Sequence, residues 1–465
     1  MSYTLITSIG TGMYKTESNN TKEGYQETEY VFTNNIKESV SKRTKLFVEA
    51  VLESKLYDIS TVVLIGTRTS SWGALIDKNL DKDLWDELKP QAVGEQHQTV
   101  VVQESELADR IKKHIEKRWN VPFILRIHTD EIDENTSEQI FKIYSDLAPE
   151  IVKDNDILFD ITHGFRSMPI LLYQALQHSL TYDFAKKNVE IIYGEFKGNN
   201  KPASVRNLSN YWKYSQITDA LKVFQNKLDG ARLAELISDE LPDVAKTINQ
   251  ITDIAQTNYS LHIKKEIESI KANLEKWFEK YTGNSLYISI KEVLKSFIPL
   301  WDQRKSKTIF NYAVFLKGKN LKSQSVIALE IAVETLITEV FGTEDDIGDY
   351  SWWKTQGTLY RDKLFNDEKW EMLGLLNDAR NRIAHGGSKK GSEIFISVEE
   401  IFNNFQKYKE TVNSMFSFFQ NMSIIEKEEI KKKITQPKPK DELKGEKIDK
   451  IIKLKGFTNT GKIQV

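Results

Sequence analysis

Arg380 and His385 stand with four residues between them at the end of the stretch Leu373-Gly374-Leu375-Leu376-Asn377-Asp378-Ala379-Arg380-Asn381-Arg382-Ile383-Ala384-His385-Gly386-Gly387. An imidazole that moves protons beside a guanidinium that stabilises charge building on phosphorus oxygens is a sufficient kit for metal-free RNA cleavage. If the stretch is helical, Asn381 and His385 share a face, the amide can orient the imidazole, and Arg380 sits at that face's edge. The glycine pair reads as the helix stop. Short spacings recur by accident: Arg110 and His114 make a similar pair, read as an exposed amphipathic face. The context of Arg380 and His385 sets them apart, with an apolar helix before them, Asn381 and Arg382 between them and glycines directly after.

A second constellation lies in the first half, in three loops rich in glycine and hydroxyls. They are Gly10-Thr11-Gly12, then Gly66-Thr67-Arg68-Thr69-Ser70-Ser71-Trp72, then Asp160-Ile161-Thr162-His163-Gly164-Phe165-Arg166-Ser167-Met168-Pro169. In an open parallel sheet the loops at the carboxyl edge gather around one crevice, where ligands bind. Glycine permits close backbone approach, free N–H groups at helix starts favour phosphate oxygens, and Arg68 and Arg166 add charge-assisted donors. Turn chemistry accounts for any one loop alone; the three together point to an anion. A nicotinamide site fits poorly, because Gly10-Thr11-Gly12 lacks a third glycine and no acidic residue closes the strand at 61–65.

His163 admits several roles: a ligand contact, an acid or base, or a structural ring paired with Asp160. Metal ligation has the least support. The chain has seven histidines, and none makes an H-x-x-x-H pair with a carboxylate between. No cofactor or metal is expected.

These residues need a scaffold, and 465 residues allow two or three domains. With 40% hydrophobic and 28% charged residues the balance is globular, and a net charge of -2 offers no overall field to draw in a polyanion, so nucleic acid must meet a local patch or groove. The absence of cysteine excludes disulfides, thiolate nucleophiles and cysteine-ligated clusters, and makes a reducing cytoplasm the natural compartment. No apolar run approaches a membrane span.

Short apolar runs at 3–9, 61–65, 121–127, 156–159 and 189–193 alternate with helix-like segments such as 37–53 and 137–147. That alternation predicts a parallel, doubly wound, Rossmann-like α/β domain. A polar excursion or small hairpin over 16–30 interrupts it. From about Ser209 the pattern turns helical, as at 219–237, 258–281 and 323–340. A basic, polar stretch at 303–308 separates a connector from a final bundle. The organisation expected is an α/β sensing domain at 1–208, a helical connector at 209–304, an all-α domain at 305–425 and a lysine-rich tail or small hairpin at 426–465.

The chain resembles the CRISPR-associated proteins of type III systems that join a CARF sensor domain to a HEPN ribonuclease domain, in the branch named for its D-x-T-H-G motif. That motif stands as Asp160-Ile161-Thr162-His163-Gly164, followed by Phe165, Arg166 and Pro169. Ser8-Ile9-Gly10-Thr11-Gly12-Met13-Tyr14 looks like the family's opening strand and loop, and Gly66, Thr67, Ser71 and Trp72 and the stretch 212–230 are similar too. The HEPN pattern of an arginine and a histidine with four to six residues between them is matched by Arg380 and His385, with Asn381 as its polar residue.

The resemblance implies antiviral defence by a homodimer that cuts single-stranded RNA by attack of the 2′-hydroxyl, leaving cyclic phosphate ends and needing no metal. It also implies a cyclic oligoadenylate activator in the sensor crevice, cyclic tetra-adenylate the expected ring. A twofold ligand suits a twofold pocket. The rival is a ligand-sensing regulator without catalysis, whose helical half binds nucleic acid or a protein. That rival requires a basic recognition helix, and none is evident between 305 and 422.

Overall fold

The computed structural model describes residues 2–10, 25, 27–33, 39–92, 106–129, 137–138, 141–142, 156–163, 168–180, 188–196, 201–364, 370–384 and 398–435. The chain divides into two compact units, Met1–Lys213 and Tyr214–Val465.

The first unit is built on a sheet whose eight described strands are β1 (Ser2–Ile9), β2 (Thr28–Thr33), β3 (Ser39–Thr44), β4 (Asp58–Thr67), β5 (Phe123–His128), β6 (Asp156–Asp160), β7 (Val189–Glu195) and β8 (Ala203–Asn207). They lie in the order β3-β2-β8-β7-β6-β1-β4-β5. From β7 to β5 every pairing is parallel. Alternation along the strands buries two opposite faces. Leu5, Ile9, Val62, Leu64 and Leu158 share one cluster with Phe47, Leu88 and Ile111 of the helices Phe47–Ser54, Lys82–Ala92 and Glu106–Trp119. Ile6, Val63, Ile65, Ile157 and Phe159 share another with Leu172, Ala175 and Leu176 of the helix Met168–Leu180. Helices on both faces of a parallel sheet make the fold doubly wound, and the chain reverses its direction of travel across the sheet between β1 and β6.

Three expectations need correction. The segment 37–53 is not one helix: Ser39–Thr44 is an edge strand paired antiparallel with β2, Thr28 opposite Thr44, and the helix begins only at Phe47. Val40 and Thr44 are β-branched and suit the pleat, whereas the apolar run that can anchor a helix starts at Phe47. The sheet is therefore mixed at this edge, since β8 runs antiparallel to β7 and parallel to β2. His114 does not lie on an exposed face. Arg110 does, 2.7 Å from Glu87, but His114 is buried between Ile111 and Ile115, and its Nε2 accepts the Asp77 N–H at 3.0 Å. Burial lowers its pKa. Most of the helix expected over 137–147 and of the excursion over 16–30 lies outside the described residues.

The second unit is helical throughout its described residues. One apolar cluster runs from Ile217 to Phe419, so residues on both sides of position 304 contribute to a single core. At its centre is the helix Lys322–Phe341, apolar on nearly every face, as a helix enclosed by others must be. The stretch 219–237 breaks at Leu228, in left-handed conformation, and at Gly230, where a Cβ would lie 2.4 Å from Ile248. The stretch 258–281 opens with the short turn Ser260–His262 before the helix Ile263–Lys280. Among the described residues no helix is long and apolar enough to cross a membrane.

Candidate functional site

In the first unit, β6, β1 and β4 are neighbours and parallel, with Ile9 level with Gly66, so their carboxyl ends deliver Gly10, Thr67 and Asp160 to one edge. The loop after β4 is held from within. Ser70 donates to the Ile9 carbonyl at 2.9 Å and accepts the Thr67 N–H at 2.8 Å. The Trp72 indole N–H donates to the Thr67 carbonyl at 2.9 Å, and the Ser71 N–H to the Gly10 carbonyl at 3.0 Å. Thr67, Ser70, Ser71 and Trp72 are buried, so they frame the edge, while Arg68 is exposed on it.

Gly66 is required by contact. A Cβ there would stand 2.6 Å from Trp72 and 2.8 Å from Ile9. Gly66→Ala is expected to destabilise by about 1–3 kcal/mol through overpacking, read as a lowered thermal midpoint. An unchanged midpoint would show that the indole yields without cost.

The loop after β6 is equally ordered at its start. Asp160 is buried and accepts the Thr7 hydroxyl at 2.6 Å and the Thr162 N–H at 2.7 Å. Thr162 in turn accepts the Gly194 N–H at 2.8 Å. His163 pairs with the Phe47 N–H through Nε2 at 3.2 Å, rather than with Asp160, and lies edge-on to Tyr25, 5.2 Å between ring centres. The Ser8 hydroxyl donates to the His163 carbonyl, and the Tyr25 hydroxyl accepts the Gly10 N–H at 2.9 Å. Thr7, Ser8 and Tyr25 were not singled out from sequence. Thr11, Gly12, Gly164 and Arg166 lie outside the described residues.

Burial raises Asp160 from 3.8 to about 6 and lowers His163 to about 4. A carboxyl raised by folding contributes stability that is complete below pH 3.8 and lost as pH rises through about 6, here about 3 kcal/mol by neutrality. Asp160→Asn is expected to remove that loss. Urea unfolding at pH 4 and pH 7 tests it, and an unaltered pH slope in the variant would refute it.

In the second unit, the helix Gly374–Ala384 buries Leu375, Leu376 and Ala379 in the core and turns Arg380 towards the helix Lys322–Phe341. Arg380 Nη1 lies 3.1 Å from Glu334 and 3.5 Å from Glu330, one turn apart on that helix. Glu330 is buried and neither of its oxygens makes a well-formed hydrogen bond. Burial, then the charge of Glu334, raises Glu330 well above the ordinary carboxyl range against the pull of Arg380. Burial works against the Arg380 charge, but the two carboxylates outweigh it and its pKa is raised. The guanidinium is 38% exposed and lines a cavity of about 510 Å³ with Ile383, Tyr259, Tyr350 and Trp353. Asn381 is exposed, and His385 and the glycine stop lie outside the described residues. Glu330 and Glu334 were missed, although two acids four apart in the middle of a largely apolar helix are themselves a signal. Among the described residues no three His, Asp or Glu side chains gather to hold a metal ion.

Residues 4–196, which take in the strands up to β7 and their strand-end loops, match the model of the CARF domain of the CRISPR system endoribonuclease Csx1. These residues form a CARF domain. The resemblance carried by Asp160-Ile161-Thr162-His163-Gly164 is thereby borne out for the first unit. CRISPR-associated protein MJ1674 of Methanocaldococcus jannaschii is 24% identical over 425 residues, which are 84% of this chain and 63% of that protein. The chain thus spans less than two thirds of that relative. The solved structure of Enterococcus italicus Csm6 bound to cyclic hexa-2′-fluoro-hexa-dAMP aligns with 93% of this chain and 98% of its own at 12% identity and a TM-score of 0.33.

Proposed function

We propose that the chain is a metal-independent endoribonuclease of type III CRISPR defence, switched on by a cyclic oligoadenylate at the CARF domain. In this reading the second unit carries the HEPN activity. The observation that bears most weight is Arg380, a permanently charged fork pinned by two carboxylates at the wall of an aromatic-lined cavity. Both ion pairs run through Nη1, so the fork keeps further donors for a phosphate.

The RNA's own 2′-hydroxyl attacks the adjacent phosphorus, His385 moves the proton, and Arg380 stabilises the charge gathering on the non-bridging oxygens. The products end in a 2′,3′-cyclic phosphate and a 5′-hydroxyl. Asn381 orients the imidazole, and a second copy of the chain completes the pocket. At the sensor, Arg68 and Arg166 and the loops that carry Gly10, Thr11, Gly12, Thr162, His163 and Gly164 meet the phosphates of the ring. Thr67, Ser70, Ser71 and Trp72 hold that edge in shape, and cyclic tetra-adenylate is the ring proposed. The ligand activates by the difference in its affinity for the active and inactive arrangements.

The test is incubation of the full chain with labelled single-stranded RNA in EDTA, with and without cyclic oligoadenylates of each ring size. Cutting that appears with one ring and yields cyclic phosphate ends supports the reading. RNA bound but never cut, with every ring, overturns it in favour of a regulator.

A further inference from the structure

Two cavities of the second unit lie either side of the turn Ser260–His262, sharing Leu261 in their walls. One is the cavity at Arg380. The other, about 680 Å³, is lined by the cations Lys264, Lys265, Arg304, Lys305 and Lys427 against the acids Glu268, Glu339 and Glu344. Two of those acids are already engaged. Glu339 accepts both the N–H and the hydroxyl of Ser306, and Glu268 accepts the Trp301 indole N–H and lies 4.0 Å from Lys264. Among the described residues, Lys265, Arg304, Lys305 and Lys427 form no ion pair. Lys305 is half-buried at the cleft wall, and burial lowers its pKa against the opposing pull of Glu339 and Glu344. The cleft thus concentrates positive charge in a chain whose net charge is -2.

The ridge between the cavities is aromatic. Tyr259 and His262 lie ring against ring, 4.4 Å between centres, with Tyr259 half-exposed. Beyond it, at the Arg380 cavity, Tyr350 is 74% exposed. Cations tracking a backbone beside exposed ring faces suit unpaired nucleotides, whose bases are free to stack; in a duplex those faces are hidden.

We propose that the basic cleft and the Tyr259–His262 ridge form the track along which single-stranded RNA reaches Arg380. Phosphates sit against Lys265, Arg304, Lys305 and Lys427, one base stacks on the ridge, and the next meets Tyr350. The proposal rests on Arg380 marking the cutting site, and its test does not need cutting.

A fluorescein-labelled, single-stranded 2′-O-methyl RNA lacks the attacking hydroxyl, so its binding to the full chain can be titrated against salt. Lys265 and Arg304 are exposed, and the double variant Lys265→Ala/Arg304→Ala is expected to melt as the parent does. Its binding should weaken, and its log-affinity against log-salt slope should fall by roughly 0.7 for each phosphate no longer neutralised. Tyr259→Ala should bind about ten-fold more weakly, and Tyr259→Phe as the parent does. A folded double variant with unchanged affinity and slope overturns the track, and so does one that loses cyclic oligoadenylate while holding RNA. If the parent cuts no RNA but the slope falls as stated, the reading of Arg380 fails and the track stands. If the parent cuts and the double variant binds and cuts equally well, the track fails and that reading stands.

Discussion

Arg380→Ala and His385→Ala are each expected to cut single-stranded RNA about a thousandfold more slowly than the parent, with cyclic oligoadenylate binding unchanged. The magnitude follows from removing either the charge stabiliser or the proton carrier of a phosphoryl transfer. Binding should persist because the proposed ligand contacts belong to the first unit, whose sheet and loops form their own hydrophobic clusters. Arg380→Lys separates charge from geometry. Lysine keeps the positive charge near Glu334 but not the planar fork, so it should recover only part of the rate. Initial rates under saturating activator decide the matter. Undiminished cutting by purified His385→Ala would remove the catalytic assignment, and full activity in Arg380→Lys would reduce Arg380 to a point charge.

How much of this was legible in the sequence depended on whether the signal was local. Residues 3–9, 156–159 and 189–193 emerged as β1, β6 and β7 with ends shifted by one or two positions, because strands buried on both faces write themselves as short apolar runs. The helix expected over 323–340 formed as Lys322–Phe341 for the same reason. The edge was harder. Ser39–Thr44 and Ala203–Asn207 are short and half polar, and only pairing with β2 and β7 makes them strands. The sensor edge was readable as three loops converging, but not the division of labour within it. Thr67 and Ser70 carry the hydroxyls a ligand would want, and the fold turns them on each other, with the Ser70 hydroxyl also bonding the backbone of Thr67 and Ile9. At the second site Arg380 could be found from its neighbours in sequence. Its carboxylate partners lie on another helix, more than forty residues earlier, and only packing brings them within 4 Å.

Those partners lead to the second large effect. Glu330→Met is expected to stabilise the protein at neutral pH by about 1 kcal/mol, because burial costs this carboxyl more than its pairing returns and Arg380 keeps Glu334 as a partner. The sign follows from the raised pKa of Glu330. Folding favours its protonated form, so its contribution to stability is complete below the ordinary carboxyl value of 4.5 and is lost as pH rises through the elevated one. Methionine has no such loss, so the gain should be largest at neutral pH and shrink on acidification. A variant less stable than the parent at pH 7 would show that the ion pair with Arg380 outweighs the burial. The same substitution leaves Arg380 tied to Glu334 alone, at 3.1 Å. A guanidinium with one anchor samples more poses, and turnover should fall roughly ten-fold with KM little changed, as for a group whose interaction is made in the transition state. A purely structural role would raise stability and leave turnover alone. Keeping two carboxylates four residues apart in the most apolar helix of the unit is unfavourable for folding, and it makes physical sense where a cation must be held at a fixed place on a cavity wall.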